Sequence, residues 1–375
     1  MPSCPKCNAD VQPDQVRCPK CATSFTRPKV EQPIESAAED RKLPLSLDPV
    51  EEREGKLPFS SWWPVAGGAL VGILLRLVFS GSPGGPFAAM MASFVYLVPL
   101  VVGAVTVYVA ERKYRRSFWY YVWAPFIANA LFVVGTLVIM IEGLICAVVI
   151  VPLFATIGVV GGLAMGMVCR LTRWPKHTLY SLAFLPLLFG GLEGNIATPS
   201  RIDSVERTVV IRAAPDVVWR QIMHADAIRP DEIRHAWIFR IGVPLPLAGV
   251  VEESPDGPVR KIRMGRNVHY DQIFTEIQEH RYVHFIYRLY PDSFPPHALD
   301  DHVVVGGYYF DIRDTSYRLT PVNEGTELTI RMEYRVTTQF NWYAEILARY
   351  LLGNFEHTIL DFYRIRSEMS QRERG

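Results

Sequence analysis

Two cysteine pairs, Cys4-Pro5-Lys6-Cys7 and Cys18-Pro19-Lys20-Cys21, stand ten residues apart near the start of the chain. Two residues between cysteines let both sulfurs of one turn reach a single ion, and two such turns complete a tetrahedral thiolate set. That spacing serves metal binding, with Cys4, Cys7, Cys18 and Cys21 as ligands. Iron held by four thiolates fits the same residues, but ligand softness and closed geometry favour zinc, and disulfides are disfavoured in a reducing cytosol. With all four positions supplied by protein the ion is structural, because so short a segment has no core without it. A second polar group lies in the last third of the chain: His269, Tyr270, His284, Tyr287, Tyr308 and Asp311, with Tyr309 beside them. These are candidates for lining a ligand cavity. General acid or base work needs such a group within hydrogen-bond reach of a substrate, and a lone strand histidine is more often a surface or satisfied core residue. No catalytic residue is assigned, and no G-x-S-x-G, P-loop or H-E-x-x-H motif occurs.

The elements that must position these groups fall into a multidomain chain. Residues 1–26 form the metal-binding segment, and residues 27–60, rich in Pro, Glu, Ser and Lys, read as a flexible linker. The cysteine segment resembles the short zinc ribbons at the start of many bacterial membrane proteins, written C-P-x-C-G twice. Asn8 and Ala22 stand where that pattern has glycine. Met1-Pro2-Ser3-Cys4 lacks the basic, apolar and small-residue order of a signal peptide, so the ribbon is expected in the cytoplasm. A formal net charge of +1 with no concentrated basic face argues against nucleic acid as a partner.

Residues 61–196 carry almost no charge outside the clusters Arg112 to Arg116 and Arg170 to Lys176. An apolar helix of about 20 residues crosses the hydrocarbon of a bilayer. Four stretches satisfy this: Ser61 to Phe79, Ala88 to Ala110, Phe118 to Ile141 and Leu144 to Cys169. By the positive-inside tendency the basic clusters are cytoplasmic, and the Ser80 to Pro86 loop and the Glu142-Gly143 turn are external. A fifth stretch, Leu179 to Leu192, is short and contains Pro186. If it crosses, the tail is extracytoplasmic; if it lies in one leaflet, the tail is cytoplasmic. The crossing is the expectation adopted. Gly68 and Gly72, and Gly158, Gly162 and Gly166, recur at four-residue spacing and are read as close helix packing within the bundle. Arg76 is expected to snorkel to the interface and Glu142 to cap a turn.

From Val205 the period changes. A short strand to Ile211 is followed by a helix start at Ala214-Pro215-Asp216, with Pro and Asp in the first turn. Strands are expected over 260–264, 268–277, 282–289, 303–312, 317–320 and 326–336. In the last of these Leu328, Ile330, Met332, Tyr334 and Val336 alternate with polar residues. A long helix, Trp342 to Glu368, carries the stripe Tyr343, Leu347, Leu351, Phe355, Ile359 and Phe362. A sheet with one buried face needs a cover, and this helix is the one available.

The A-P-x-x-V-W helix start, the antiparallel run and the terminal helix make residues 204–370 similar to the START-related superfamily of helix-grip domains, which includes polyketide cyclase-like proteins and lipid carriers. The stretch Asp301 to Asp311 resembles one common in membrane-attached members. The resemblance implies an α+β fold, a curved antiparallel sheet around a long C-terminal helix, enclosing an apolar cavity for a hydrophobic ligand. The expectation is a multi-pass membrane protein, with ribbon, transmembrane bundle and helix-grip domain, that binds a lipid or other hydrophobic small molecule without catalysis. A cyclase or hydratase acting on an apolar substrate is the alternative within the same cup. A scaffold or sensor whose ribbon meets a cytosolic protein partner is another.

Overall fold

The structure, a computed structural model, describes Cys4 and residues 6–10, 17, 18, 20–24, 59–112, 115–172, 179–194, 196–233, 236–255, 257–300 and 304–374. The linker expected over 27–60 lies outside the described residues up to residue 58. The chain divides into two units, Met1–Glu51 and Glu52–Gly375.

In the first unit the described residues form two matching turns. Asn8 N–H donates to the Cys4 carbonyl and Ala22 N–H to that of Cys18, at 2.8 and 2.9 Å. Both residues are left-handed, with φ of 53° and 56°. The glycine positions of the ribbon pattern thus keep their backbone conformation with other residues, at about 1–2 kcal/mol each and least for Asn.

The second unit begins with helices. α1 is Phe59–Val78, α2 Val98–Glu111, α3 Phe118–Val138, α4 Leu144–Leu171 and α5 Leu179–Glu193, and a π-helical turn Ser93–Leu97 leads into α2. Among the described residues three helices are long and apolar enough to cross a membrane: Ser93–Glu111, Phe118–Val138 and Leu144–Leu171. α1 and α5 add shorter apolar lengths, Trp62–Val78 and Phe184–Glu193. The expected span from Ala88 starts later, at Ser93, because Glu193 at the end of α5 accepts the backbone N–H groups of Ala92 and Ser93 at 2.6 and 2.8 Å. A carboxylate is favoured at the positive end of a helix, so this contact fixes where helix α2 begins and ties α5 to it. The small residues pack inside the bundle. A Cβ on Gly158 would strike Asn129, one on Gly103 would strike the Gly158 backbone, and those on Gly72 and Gly166 would meet Phe132 and Tyr121. Arg76 does not snorkel: it is 5% exposed and paired to Glu142 at 2.6 Å.

The C-terminal part is an eight-stranded antiparallel sheet in the order β1-β8-β7-β6-β5-β4-β3-β2. The strands are β1 Ser200–Ile211, β2 His224–Ala225, β3 Pro246–Ser254, β4 Gly257–Met264, β5 His269–Gln278, β6 Tyr282–Arg288, β7 Phe310–Val322 and β8 Gly325–Thr337. α6 is Pro215–Met223, α7 Trp237–Arg240 and α8 Asn341–Arg374. Bulges between Phe274 and Glu276 and between Ile312 and Asp314 raise the local twist. The two strands expected over 303–312 and 317–320 are instead one, β7, beginning only at Phe310. Gly306, at φ 77°, and Gly307 stand in the turn before it, and residues 301–303 lie outside the described residues. Strand β3 was not expected from the sequence. Leu328, Ile330, Met332, Tyr334 and Val336 do face inward, onto Leu352, Ile359, Leu360, Phe362 and Tyr363 of α8.

Glu356 of α8 is buried in this layer, and neither carboxylate oxygen has a hydrogen-bond partner. Burial pushes its pKa from 4.5 up to about 8, against the weaker pull of the Arg207 charge. The folded protein therefore keeps a proton that the unfolded chain releases above pH 4.5, and stability falls as pH rises from 4.5 to 8 by on the order of 1 kcal/mol per pH unit. Glu356→Gln is expected to flatten the melting temperature over that window and to raise it at pH 8.

Candidate functional site: a chamber between the bundle and the cup

The stripe on α8 divides in two. Ile359 and Phe362 are buried in the core, whereas Leu347, Leu351 and Phe355, nearer the start of the helix, are half-buried because they border a void. This cavity has a volume of about 230 Å³. Its walls come from both parts of the second unit: Phe94, Val95, Phe132, Ile145, Ile150 and Phe154 of the bundle face Tyr270, Phe310, Leu347 and Leu351 of the cup. The lining is almost entirely apolar, which is the character of a site for a hydrophobic guest.

Apolar packing and three hydrogen bonds join its two walls. Phe340, Tyr343 and Ala344, at the start of α8, pack into the apolar core of the bundle. Tyr343 donates its hydroxyl to the Val149 carbonyl of α4 at 2.6 Å, and Trp342 Nε1 donates to the Tyr96 hydroxyl at 2.8 Å. The Gly143 N–H, just before α4, donates to Asp300 at 2.7 Å. At one margin lie Arg76, Glu142 and Cys146. Glu142, Cys146 and Asp300 are close enough to share an ion, but the Glu142 carboxylate is already neutralised by Arg76 and Asp300 receives the Gly143 N–H.

A smaller cavity of about 80 Å³ lies deeper in the cup, bordered by Arg260, Gln272, Tyr287, Thr315, Tyr317 and Tyr363 among others. Tyr270, Met264, Ile312 and Phe355 border both cavities. Burial raises the pKa of Tyr270 and Tyr317 and pushes Tyr287 to about 12, so these phenols stay protonated as donors.

Of the residues singled out from the sequence, Tyr270 borders both cavities, Tyr287 the deeper one and Tyr309 the larger. Tyr287 shares a 2.6 Å hydrogen bond with Thr315. His269 stacks on Tyr290 and lies 3.6 Å from Asp292, away from both cavities. His284 is bonded to Thr275 and lies 3.4 Å from Asp314 on the other face of its strand. Tyr308 is 42% exposed and packs over Gly84, and Asp311 accepts the Gly306 N–H at 2.8 Å. Sequence reading did not single out Arg260, Gln272 and Tyr363. Arg260 stands between Val259 and Lys261, a setting that carries no mark of burial, and the pairing of β4 with β5 brings it to Gln272.

In the separate N-terminal unit the four sulfurs lie within 4.8 Å of one another, with Cys4 to Cys21 at 3.6 Å and Cys7 to Cys18 at 3.5 Å. Zinc–sulfur bonds of about 2.3 Å in a tetrahedron place sulfurs about 3.8 Å apart, so the set fits a metal ion.

No protein-family model matches the sequence, and no curated protein does. Solved structures that resemble the chain include a protein of unknown function from Staphylococcus aureus, at 11% identity and TM-score 0.29, covering 46% of this chain and 98% of that one. The aromatase/cyclase Zhui from Streptomyces sp. R1128 matches at 12% identity and TM-score 0.27, over 45% of this chain and 94% of that one. The di-domain aromatase/cyclase StfQ of the steffimycin biosynthetic pathway matches at 13% and 0.28, over 51% and 59%. The helix-grip architecture stands here on the strand order and on the core that the sheet shares with α8.

Removing one partner of a buried ion pair leaves the other uncompensated, at about 3–5 kcal/mol, whereas replacing both by apolar residues is often neutral. Glu142→Leu is therefore expected to lower the melting temperature strongly. The double change Arg76→Met with Glu142→Leu should recover most of that loss in the same thermal scan.

Proposed function

We propose that this chain is a multi-pass membrane protein that binds a lipid or other hydrophobic small molecule, without catalysis, in the chamber between its helical bundle and its cup. The observation that carries the reading is the shared wall: a cavity lined from both sides brings the cup against the helices that would lie in lipid. A guest taken from the bilayer would then need little or no passage through water. The outward faces of the helices support the membrane assignment, since Leu70, Leu74, Val138, Val160, Leu188 and Leu192 are all exposed. At the rim, Trp342, Ile346 and Tyr350 form an exposed stripe along α8 with the aromatic and apolar character of a bilayer interface.

The same contacts support the extracytoplasmic side for the cup. It rests on the end of the bundle that carries the Glu142-Gly143 turn and Gly84, while Arg170, at the end of α4, lies by Tyr121 and Arg116 at the other end. The close of α5 is at the cup end too, with Gly190 by Phe79 and Gly194 by Pro86, so the chain after α4 returns across the bundle. With basic clusters inside, the cup is outside and the ribbon cytoplasmic. For the ribbon, the four-thiolate set favours structural zinc held by Cys4, Cys7, Cys18 and Cys21, which leaves its surface for a cytosolic protein partner.

Native mass spectrometry of the full chain released from lipid nanodiscs tests the chamber. Wild type is expected to carry an apolar adduct, and Ala344→Phe, whose ring would enter the cavity, to lose it. Identical bare masses for both proteins would refute the reading. Elemental analysis tests the ribbon: one zinc per chain is expected, falling to none in Cys4→Ser with Cys18→Ser, and iron in its place or no metal would overturn the assignment.

A further inference from the structure

Arg260 of β4 is 4% exposed and has no acidic partner. Its guanidinium donates to Gln272 Oε1 at 2.6 Å and to the Tyr363 hydroxyl at 2.9 Å, and its Nε, buried, has no hydrogen-bond partner. No ion pair involving it occurs among the described residues. A guanidinium cannot shed its charge by deprotonation, and an unpaired buried ion is among the costliest features a fold can hold. Arg76, the other buried arginine among the described residues, has its carboxylate. Arg260 borders a cavity instead.

That cavity is fitted for an oxyanion. Its other polar groups are the hydroxyls of Tyr270, Tyr287, Tyr317, Tyr363 and Thr315 and the amide of Gln272, with no carboxylate among its walls. On the neighbouring strand β3, Gly249, two residues from the position paired with Arg260, leaves the space the guanidinium occupies: a Cβ there would stand 2.8 Å from Arg260 Nη2. A volume of about 80 Å³ admits a carboxylate with the first carbons of its chain, or two to three waters at roughly 30 Å³ each. Tyr270, Met264, Ile312 and Phe355 border both this pocket and the large chamber.

We propose that the guest is an acid with an apolar body: its carboxylate pairs with Arg260 in the deep pocket and its chain runs past Tyr270 and Phe355 into the chamber shared with the bundle. This deepens the function proposed above and rests on it. The guanidinium supplies the charge, the tyrosine hydroxyls supply further donors, and the neutral walls leave the anion no competitor. Charge-assisted hydrogen bonds in a desolvated pocket are the strong ones, so an acid should be preferred over the matched alcohol.

The test uses the full chain in nanodiscs and compares decanoate, 1-decanol and benzoate by calorimetric titration, on wild type and on Arg260→Met. Wild type is expected to bind decanoate at least tenfold more tightly than decanol. Arg260→Met should bring the two ligands level by weakening decanoate alone, with decanol binding unchanged as evidence that the cup is folded. Benzoate, which reaches Arg260 but leaves the chamber unfilled, should bind more weakly than decanoate. Equal affinity of wild type for acid and alcohol would overturn the headgroup assignment while leaving the chamber as a binding site. A preference for the acid that survives Arg260→Met would also overturn it. Benzoate binding as tightly as decanoate would overturn the path into the chamber, making the guest a water-borne acid. Binding of none of the three would overturn both the assignment and the reading it rests on.

Discussion

The wedge that the first turn of α8 drives into the end of the helical bundle governs the rest of this structure. Phe340 and Tyr343 enter the core of the bundle, Ala344 packs against both cores, and the Tyr343 hydroxyl ends on a carbonyl of α4. A curved sheet closed by a single helix has an open end, where the side chains of that helix run out of strands to cover them. Here the bundle covers them, but not tightly. The space left over is the chamber, and Leu347, Leu351 and Phe355 are half-buried for that reason.

Two buried arginines differ in compensation, Arg76 at the margin of this apolar space and Arg260 in the deeper pocket beside it. At the bundle end Arg76 and Glu142 neutralise each other, a pairing that stabilises little in itself but is severe to break. At the cup end Arg260 is held by a glutamine and a tyrosine without a counter-charge. In the proposed mode of binding, the uncompensated charge of Arg260 is what would orient an acidic guest. Glu356 is a different case: it borders neither cavity, and its protonation concerns the stability of the layer between α8 and the sheet.

The sequence carried the parts with strong local periodicity and lost those created by pairing. The alternation in β8 and the apolar runs of α3 and α4 needed no partner to be read, and the C-x-x-C pairs fixed their own geometry. The stripe on α8 was legible as apolar, but periodicity does not separate a residue packed in a core from one lining a void, so the chamber could not be located. Arg260 was missed because nothing in the strand around it marks a buried charge, and Gln272 and Tyr363 reach it from β5 and α8. Arg76 was misjudged for a similar reason: its partner Glu142 lies 66 residues away, and only the meeting of the end of α1 with the turn before α4 keeps the guanidinium from the surface.

In the proposed mode of binding one guest touches the bundle and the cup together. The most direct measurement is covalent capture: an alkyl diazirine probe, photolysed on the full chain in nanodiscs, with labelled residues mapped by peptide mass spectrometry. Labelling of Ile150 or Phe154 on α4 together with Leu347 or Leu351 on α8, competed away by unlabelled ligand, is the predicted result. Labelling confined to outward residues such as Val160 and Leu188, unaffected by competitor, would contradict it.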